Sequence, residues 1–178
     1  CRGHGRSDKP DGKYTIPLFA DDMVQLFSHL KIDSFHLVGF SMGGMVAFQI
    51  AVDNPQKVKT LTIINSFPAV LYNTFAMKVT VWSRLALIKL MGLDKLSKVI
   101  GKKLFPLDSQ DSLREQFRAS MKMLTKSSYT RSLLSFLGWD VSEKLSLLQM
   151  PVLVVAAEHD YTPVELKKEY CKKITKSK

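Results

Sequence analysis

The spacing of apolar residues in the first third of the chain predicts a helix, a strand, a second helix and a second strand. Between residues 16 and 30 apolar side chains recur every three or four positions, which is typical of an amphipathic helix. The run 35–39 (FHLVG) is short, apolar and ends in glycine, and 42–52 returns to helical spacing. The run 58–65 (VKTLTIIN) is rich in β-branched residues, which favours a buried strand. This order predicts a β-α-β unit and therefore a parallel sheet.

A long helical block interrupts the predicted sheet. From residue 67 to 149 the strand signals stop and amphipathic helical patterns follow. We expect breaks in these helices at Gly92, Gly101, Pro106 and near Gly138. An apolar run at 151–157 (PVLVVAA) predicts a return to the sheet, and a charged helix begins near Val164. We therefore predict an α/β fold in three segments: a core at 1–66, a helical cap at 67–149, and a return to the core at 150–178.

A G-x-S-x-G sequence, GFSMG at 39–43, stands between a predicted strand and a predicted helix. This is the context of a nucleophile elbow, in which a strained turn exposes the serine. We expect Gly39 and Gly43 to lack side chains so that strand and helix can approach, and Gly44 to extend this tolerance. The backbone N–H of Met42 then lies at a helix N-terminus, where it can donate to an oxyanion. The pattern predicts Ser41 as a nucleophile.

Asp160 is the predicted acid of a catalytic triad. A serine nucleophile needs a histidine base, and that histidine needs a carboxylate to orient it. Asp160 follows the predicted strand 151–157 in a short polar loop, so it should lie at the same sheet edge as Ser41. Glu158 is the nearest rival, and the alternative role for Asp160 is to cap the next helix through Thr162.

Three segments of the chain resemble the α/β-hydrolase family of single-domain esterases, lipases and C–C bond hydrolases. Residues 2–7 (RGHGRS) are similar to the turn after the family's fourth strand, 38–47 (VGFSMGGMVA) to its elbow, and 151–163 (PVLVVAAEHDYTP) to its acid strand and loop. The resemblance implies a serine hydrolase that cleaves a carboxylic ester, thioester or related acyl bond through an acyl-enzyme at Ser41. It also implies that the block 67–149 is a lid over the active site. We expect no cofactor and no metal.

The resemblance places the catalytic histidine beyond the acid, and no histidine stands between Asp160 and residue 178. The chain's histidines are His4, His29, His36 and His159, of which His159 is the least implausible base. The family's first strands and oxyanion loop would precede residue 1. We therefore expect a segment incomplete at both ends, with negligible activity alone. The missing base supports one rival, a non-catalytic binding or scaffold protein of the same fold.

The excess of positive charge narrows the choice of partners. There are 26 Lys and Arg against 16 Asp and Glu, a net charge of +10, but no basic patch is interleaved with aromatic residues. We therefore expect no nucleic-acid partner. The first half of the cap is basic through Lys78, Arg84, Lys89, Lys95, Lys98, Lys102 and Lys103. Solvated helix faces explain most of them, and contact with anionic lipid or a carboxylated substrate is the alternative.

The remaining composition favours a small-molecule enzyme. The cap's aromatic residues indicate core packing. The alternative is that some of them line an apolar acyl pocket, and on that interpretation we expect an apolar acyl substrate.

Cys1 and Cys171 lie at opposite ends of the chain without metal-ligand spacing, which favours a reducing compartment but leaves a disulfide between them open. No apolar run reaches the length of a membrane span. We expect a cytoplasmic protein.

Overall fold

A computed structural model describes residues 1–70, 75–158, 160 and 163–177 of the chain. It divides into two compact units. The helical unit comprises Cys1–Tyr14 and Tyr72–Leu134, and the sheet unit comprises Thr15–Leu71 and Ser135–Lys178. The three-segment division at 1–66, 67–149 and 150–178 stays a prediction.

The elements follow one another largely as the apolar pattern predicts. In chain order they are α1 (Ile16–His29), β1 (Phe35–Phe40), α2 (Met42–Asp53), β2 (Val58–Ile64), α3 (Phe75–Leu104), α4 (Asp111–Lys122), α5 (Lys126–Leu134), β3 (Val152–Val155) and α6 (Val164–Cys171). Short 3-10 turns lie at Asp108–Gln110 and Ser142–Leu147.

The three strands form a parallel sheet in the order β1-β2-β3, as expected for an α/β fold. Phe40 is in register with Ile64, and Ile64 with Val155, so the strands end together at one edge. Helix α2 packs against β1 and β2, and α1 packs on α2. Leu61 and Val152 are buried in the core, whereas Val38 and Phe40 point to the exposed face. The carboxyl ends of the strands therefore lie together, where the predicted site residues begin.

Helices α1 and α2 differ in burial: α1 buries one face, whereas α2 is buried along most of its length. The Thr15 side chain accepts a hydrogen bond from the N–H of Leu18 at 3.2 Å, which caps α1, and its buried face carries Ile16, Phe19 and Ala20. Helix α2 is buried from Gly44 to Val52, because it lies between the sheet and its neighbouring helices. This burial explains why α2 is apolar on almost every side.

Helices α3, α4 and α5 lie inside the predicted helical block 67–149, with one exception among its predicted breaks, whereas the two ends of that block belong to the sheet unit. Helix α3 is kinked at Gly92, whose φ of 76° belongs to the left-handed region. Gly101 was expected to break a helix, but that prediction is wrong, because Gly101 lies inside α3. A Cβ at Gly101 would come within 3.4 Å of the Phe117 ring, so the glycine allows α4 to pack closely on α3.

Within the sheet unit, the chain segments that flank Tyr72–Leu134 are joined to each other. The N–H of Val70 donates to the carbonyl of Trp139 at 2.8 Å, and the N–H of Val141 donates to Pro68 at 2.8 Å. The Trp139 indole N–H donates to Gln49 Oε1 of α2 at 2.7 Å, and both side chains are buried. These hydrogen bonds connect the segment where the chain leaves the sheet unit to the segment where it returns.

The two cysteines differ in exposure, Cys1 being exposed and Cys171 partly buried. Cys1 and Cys171 are both free thiols, so the bridge that the sequence left open does not form. No helix among the described residues is long and apolar enough to cross a membrane.

Candidate active site

Ser41 lies in a strained turn between β1 and α2. Its backbone has φ 51° and ψ −121°, a conformation that costs a non-glycine residue about 1–3 kcal/mol. The N–H of Ser41 donates to the carbonyl of Ile64 at 3.0 Å, which ties the turn to the end of β2. The residue is exposed. The turn therefore presents a serine side chain at the carboxyl edge of the sheet.

Two glycines allow the close approach of β1 and α2. A Cβ at Gly39 would fall onto the carbonyl oxygen of Gly43 and lie 2.6 Å from Gly44 Cα. A Cβ at Gly44 would lie 2.5 Å from the Ser66 Cβ. At Gly43 the space around a Cβ is open, so the expectation that this position must lack a side chain is wrong. The steric requirement belongs to Gly39 and Gly44, because these two positions face backbone and a buried serine.

Ser66 contacts the elbow from the opposite side, and the apolar pattern of the sequence does not predict this contact. Its hydroxyl donates to the carbonyl of Ser41 at 2.6 Å, and the residue is 1% exposed. The Tyr170 hydroxyl in turn donates to the carbonyl of Ser66 at 3.2 Å. Burial raises the pKa of Tyr170, which favours the neutral phenol that this hydrogen bond needs. One feature of the sequence could have indicated Ser66: the polar residues Asn65 and Ser66 directly follow β2, at the sheet edge where Ser41 also lies.

Met42 is the first residue of α2. The N–H groups of Gly44 and Met45 both donate to the Ser41 carbonyl, at 2.9 and 3.3 Å, so the helix ladder begins after Met42. The first N–H groups of a helix have no intrahelical acceptor and lie at the positive end of its dipole. This position suits an oxyanion donor, and that role of Met42 stays a prediction.

The loop after β3 is tied to the loop after β2. Asn65, which has a φ of 44°, accepts the N–H of Ala157 on its Oδ1 at 2.8 Å. The N–H of Asn65 donates to the carbonyl of Val155 at 3.0 Å. This pair of hydrogen bonds fixes the start of the loop that carries Asp160, at the sheet edge where Ser41 lies.

Asp160 forms a buried ion pair that the sequence pattern does not predict. Lys167 Nζ donates to Asp160 Oδ2 at 2.6 Å, with side-chain exposures of 2% for the lysine and 11% for the aspartate. The ammonium also lies 5.5 Å from the centroid of the Phe67 ring, within the range of a cation–π contact. Helix α6 therefore contacts the proposed acid directly. Thr162, the alternative capping partner, lies outside the described residues.

The described histidines of the sheet unit lie away from Ser41. His36 is in β1, with Nδ1 2.8 Å from Thr60 Oγ1, and stands roughly 16 Å from Ser41 at the usual rise per strand residue. His29 is in the last turn of α1. His4, in the helical unit, has Nδ1 2.9 Å from the carbonyl of Arg2. His159 lies outside the described residues. The sheet unit thus brings Ser41, Met42 and Asp160 to one sheet edge, with neither of its described histidines beside them.

The helical unit contains its own open cavity of about 470 Å³. Its lining combines two aliphatic, two hydroxyl and three cationic side chains: Leu85, Ile88, Ser127, Thr130, Lys89, Lys126 and Arg131. Core packing does not account for every aromatic residue of the cap, since Phe75 and Trp82 are 82% and 65% exposed. Among the described residues no group of three His, Cys, Asp or Glu side chains could hold a metal ion.

Comparison with known proteins gives a family match and several similar structures. A sequence model of the alpha/beta hydrolase fold matches residues 1–178. The 3-oxoadipate enol-lactonase 2 of Acinetobacter baylyi is 24% identical over 163 residues, covering 89% of this chain and 59% of the lactonase. This chain therefore spans about three fifths of the length of that relative.

Two solved structures show the same fold. The esterase EaEST from Exiguobacterium antarcticum is similar with a TM-score of 0.87 at 20% identity, over 99% of this chain and 68% of the esterase. The enol-lactonase from Burkholderia xenovorans LB400 gives a TM-score of 0.86 at 21% identity, over 99% and 68%. At these identities the likeness bears on the fold alone.

Proposed function

Since the chain belongs to the alpha/beta hydrolase fold family, we propose that it forms part of a serine hydrolase that cleaves carboxylic esters or related acyl bonds. Ser41 is the nucleophile, Asp160 is the acid of the triad, and the Met42 N–H is one oxyanion donor. The base would be a histidine. The observation that carries the proposal is the backbone of Ser41, which is strained at φ 51° and ψ −121° between a strand and a helix.

The proposed chemistry follows from this placement. A histidine would take the Ser41 proton as the hydroxyl oxygen attacks the acyl carbon, and the negative charge would then develop on the former carbonyl oxygen. The N–H of Met42 lies at the start of α2, where a helix dipole favours negative charge. Asp160 would orient the histidine and stabilise its protonated form. Collapse of the resulting intermediate would break the C–O bond to the alcohol, which leaves with the proton held by the histidine, and would form the acyl-enzyme at Ser41. Water, giving its proton to the same histidine, would then attack the acyl carbon, and the second collapse would release the carboxylic acid and return the proton to the serine.

The substrate class is proposed from the names of the relatives. A lactonase and an esterase both cleave a carboxylic ester, in a ring or in an open chain. We propose that the acyl group is apolar, because small-molecule sites are lined mostly by hydrophobic side chains. A series of p-nitrophenyl esters from acetate to octanoate, assayed with the gene product that contains this chain, tests this choice. A fall in kcat/KM with acyl length would contradict it.

A fluorophosphonate probe tests the nucleophile without knowledge of the substrate. The gene product that contains this chain should be labelled, and mass spectrometry should place the adduct on Ser41. Ser41→Ala should abolish labelling, whereas Ser28→Ala, a change at an exposed serine of α1, should leave it intact. Asp160→Asn should slow labelling by about 10⁴-fold if it orients the base. A folded protein that is not labelled at Ser41 would favour the non-catalytic rival.

A further inference from the structure

The first part of α3 exposes a row of apolar side chains, which we call the α3 stripe: Phe75, Val79, Trp82, Ala86 and Leu90. Their spacing of three or four residues places them along one side of the helix. Phe75, Trp82 and Leu90 are 82%, 65% and 81% exposed. A row of neighbouring exposed apolar side chains marks an interaction site more often than isolated exposed apolar residues do.

A different side of the same helix packs inside the helical unit. Val81 and Ile88 are 4% and 3% exposed, and α3 contacts both α4 and α5. The α3 stripe is therefore not the face that attaches this helix to its own unit. It is a second apolar face, exposed in a helix that is already anchored.

The charge of α3 indicates the partner of the stripe. The helix carries seven Lys and Arg residues and one acid, Asp94, so it contributes +6 of the chain's +10. Asp94 is itself paired, with Arg118 at 3.0 Å and Lys98 at 3.5 Å. Lys78 and Lys89 are exposed within the stretch that bears the stripe. An apolar row with a tryptophan, combined with lysines and almost no acids, matches the surface of an anionic membrane.

The part of α3 beyond the kink has the same composition. Val99 is 56% exposed and Leu104 is 39% exposed. They alternate with exposed lysines: Lys95, Lys98, Lys102 and Lys103. The kink at Gly92 thus separates two segments that each combine exposed apolar and cationic side chains.

We propose that α3 docks the protein on an anionic lipid surface, with the α3 stripe entering the headgroup region and the lysines contacting lipid phosphates. The contact is peripheral, because the helix is not apolar enough to cross a membrane. The docking does not depend on the proposed hydrolase activity, so Ser41→Ala should bind lipid as the wild type does.

Vesicle sedimentation tests the proposal with the gene product that contains this chain. It should bind vesicles of phosphatidylcholine and phosphatidylglycerol at 3:1 at least about tenfold more tightly than pure phosphatidylcholine, and lose most of this binding in 0.5 M salt. Leu90→Ser and the pair Lys78→Glu and Lys89→Glu should each weaken binding about tenfold or more. Leu147→Ser, at a 55% exposed leucine of the sheet unit, is the matched control and should bind normally.

Tryptophan emission identifies the surface that makes contact. Trp82 is 65% exposed, whereas Trp139 is 8% exposed and hydrogen-bonded to Gln49. Anionic vesicles should therefore shift emission to shorter wavelength in the wild type and in Trp139→Phe, and the shift should be absent in Trp82→Phe. Absence of vesicle binding, equal binding to neutral vesicles, or a shift that survives Trp82→Phe would each overturn the proposal.

Discussion

The ion pair between Lys167 and Asp160 makes the sharpest prediction about stability. Lys167→Met removes the ammonium but keeps an unbranched apolar chain beside Phe67. Asp160 is left without this partner in a site where its side chain is 11% exposed. Breaking a buried pair by removing one member costs about 3–5 kcal/mol, and partial access to water should bring this variant to the lower end, about 3 kcal/mol.

The reciprocal change gives a stricter test. Asp160→Asn leaves the Lys167 ammonium at 2% side-chain exposure, so it should cost more, about 4–5 kcal/mol. The double variant removes both charges together, so its loss should fall short of the summed single losses by about 2 kcal/mol or more. Lys168→Met, at an exposed neighbour in α6, should change the free energy of unfolding by no more than about 0.5 kcal/mol.

Urea unfolding followed by Trp139 fluorescence measures these losses in the unit that contains the pair. A Trp82→Phe background removes the other tryptophan of the chain from the signal. Single variants within about 0.5 kcal/mol of the wild type would refute the reasoning, since exposed pairs contribute about that much. Additive single losses would equally refute it, because they would mean that the two residues stabilise the fold separately.

Three further predictions concern the elbow, the buried Tyr170 and the half-buried Cys171. Gly39→Ala should lower the free energy of unfolding in urea by about 1–3 kcal/mol or more through its clash with backbone, whereas Gly43→Ala should raise it by up to about 1 kcal/mol; equal effects would contradict the geometry. Burial raises the pKa of Tyr170, so its stabilising effect is complete below about pH 10 and is lost above it. The wild type should therefore lose stability more steeply than Tyr170→Phe between pH 10 and 11. Burial also raises the pKa of Cys171, so its alkylation by iodoacetamide should reach half of its maximal rate above about pH 8.5, as judged against Cys171→Ser.

The periodicity of apolar residues predicted the elements of the fold closely. The predicted helix at 16–30 and strand at 35–39 correspond to Ile16–His29 and Phe35–Phe40. This works because burial on one face of a helix or sheet imposes its period on the sequence. Gly101 misled the same reasoning. A glycine in a helical pattern indicates either a helix break or close packing of a neighbouring element. At Gly101 it indicates close packing, because the Phe117 ring lies against this position.

The candidate site was only half predictable, for a physical reason that Ser66 and Lys167 share. The sequence shows Gly39 and Ser41 because a strained turn constrains residues that are adjacent in the chain. Ser66 reaches the elbow across 25 residues, and nothing local distinguishes it from a loop serine. Lys167 is 1% exposed, yet it stands beside the exposed Lys168 in a charged helix. A buried polar side chain is specified by a distant partner, so a pattern of apolar positions counts it as surface.

The strained backbone of Ser41 depends on partners elsewhere in the chain. A turn that costs about 1–3 kcal/mol persists only when the surrounding structure holds it. Here the Ile64 carbonyl accepts the Ser41 N–H, and the Ser66 hydroxyl donates to the Ser41 carbonyl, so both polar groups of the strained residue are fixed from the end of β2. Tyr170 of α6 holds Ser66 in turn, and α6 also carries Lys167 against Asp160. One helix thus supports both the proposed nucleophile and the proposed acid, and changes on its buried face should reach both.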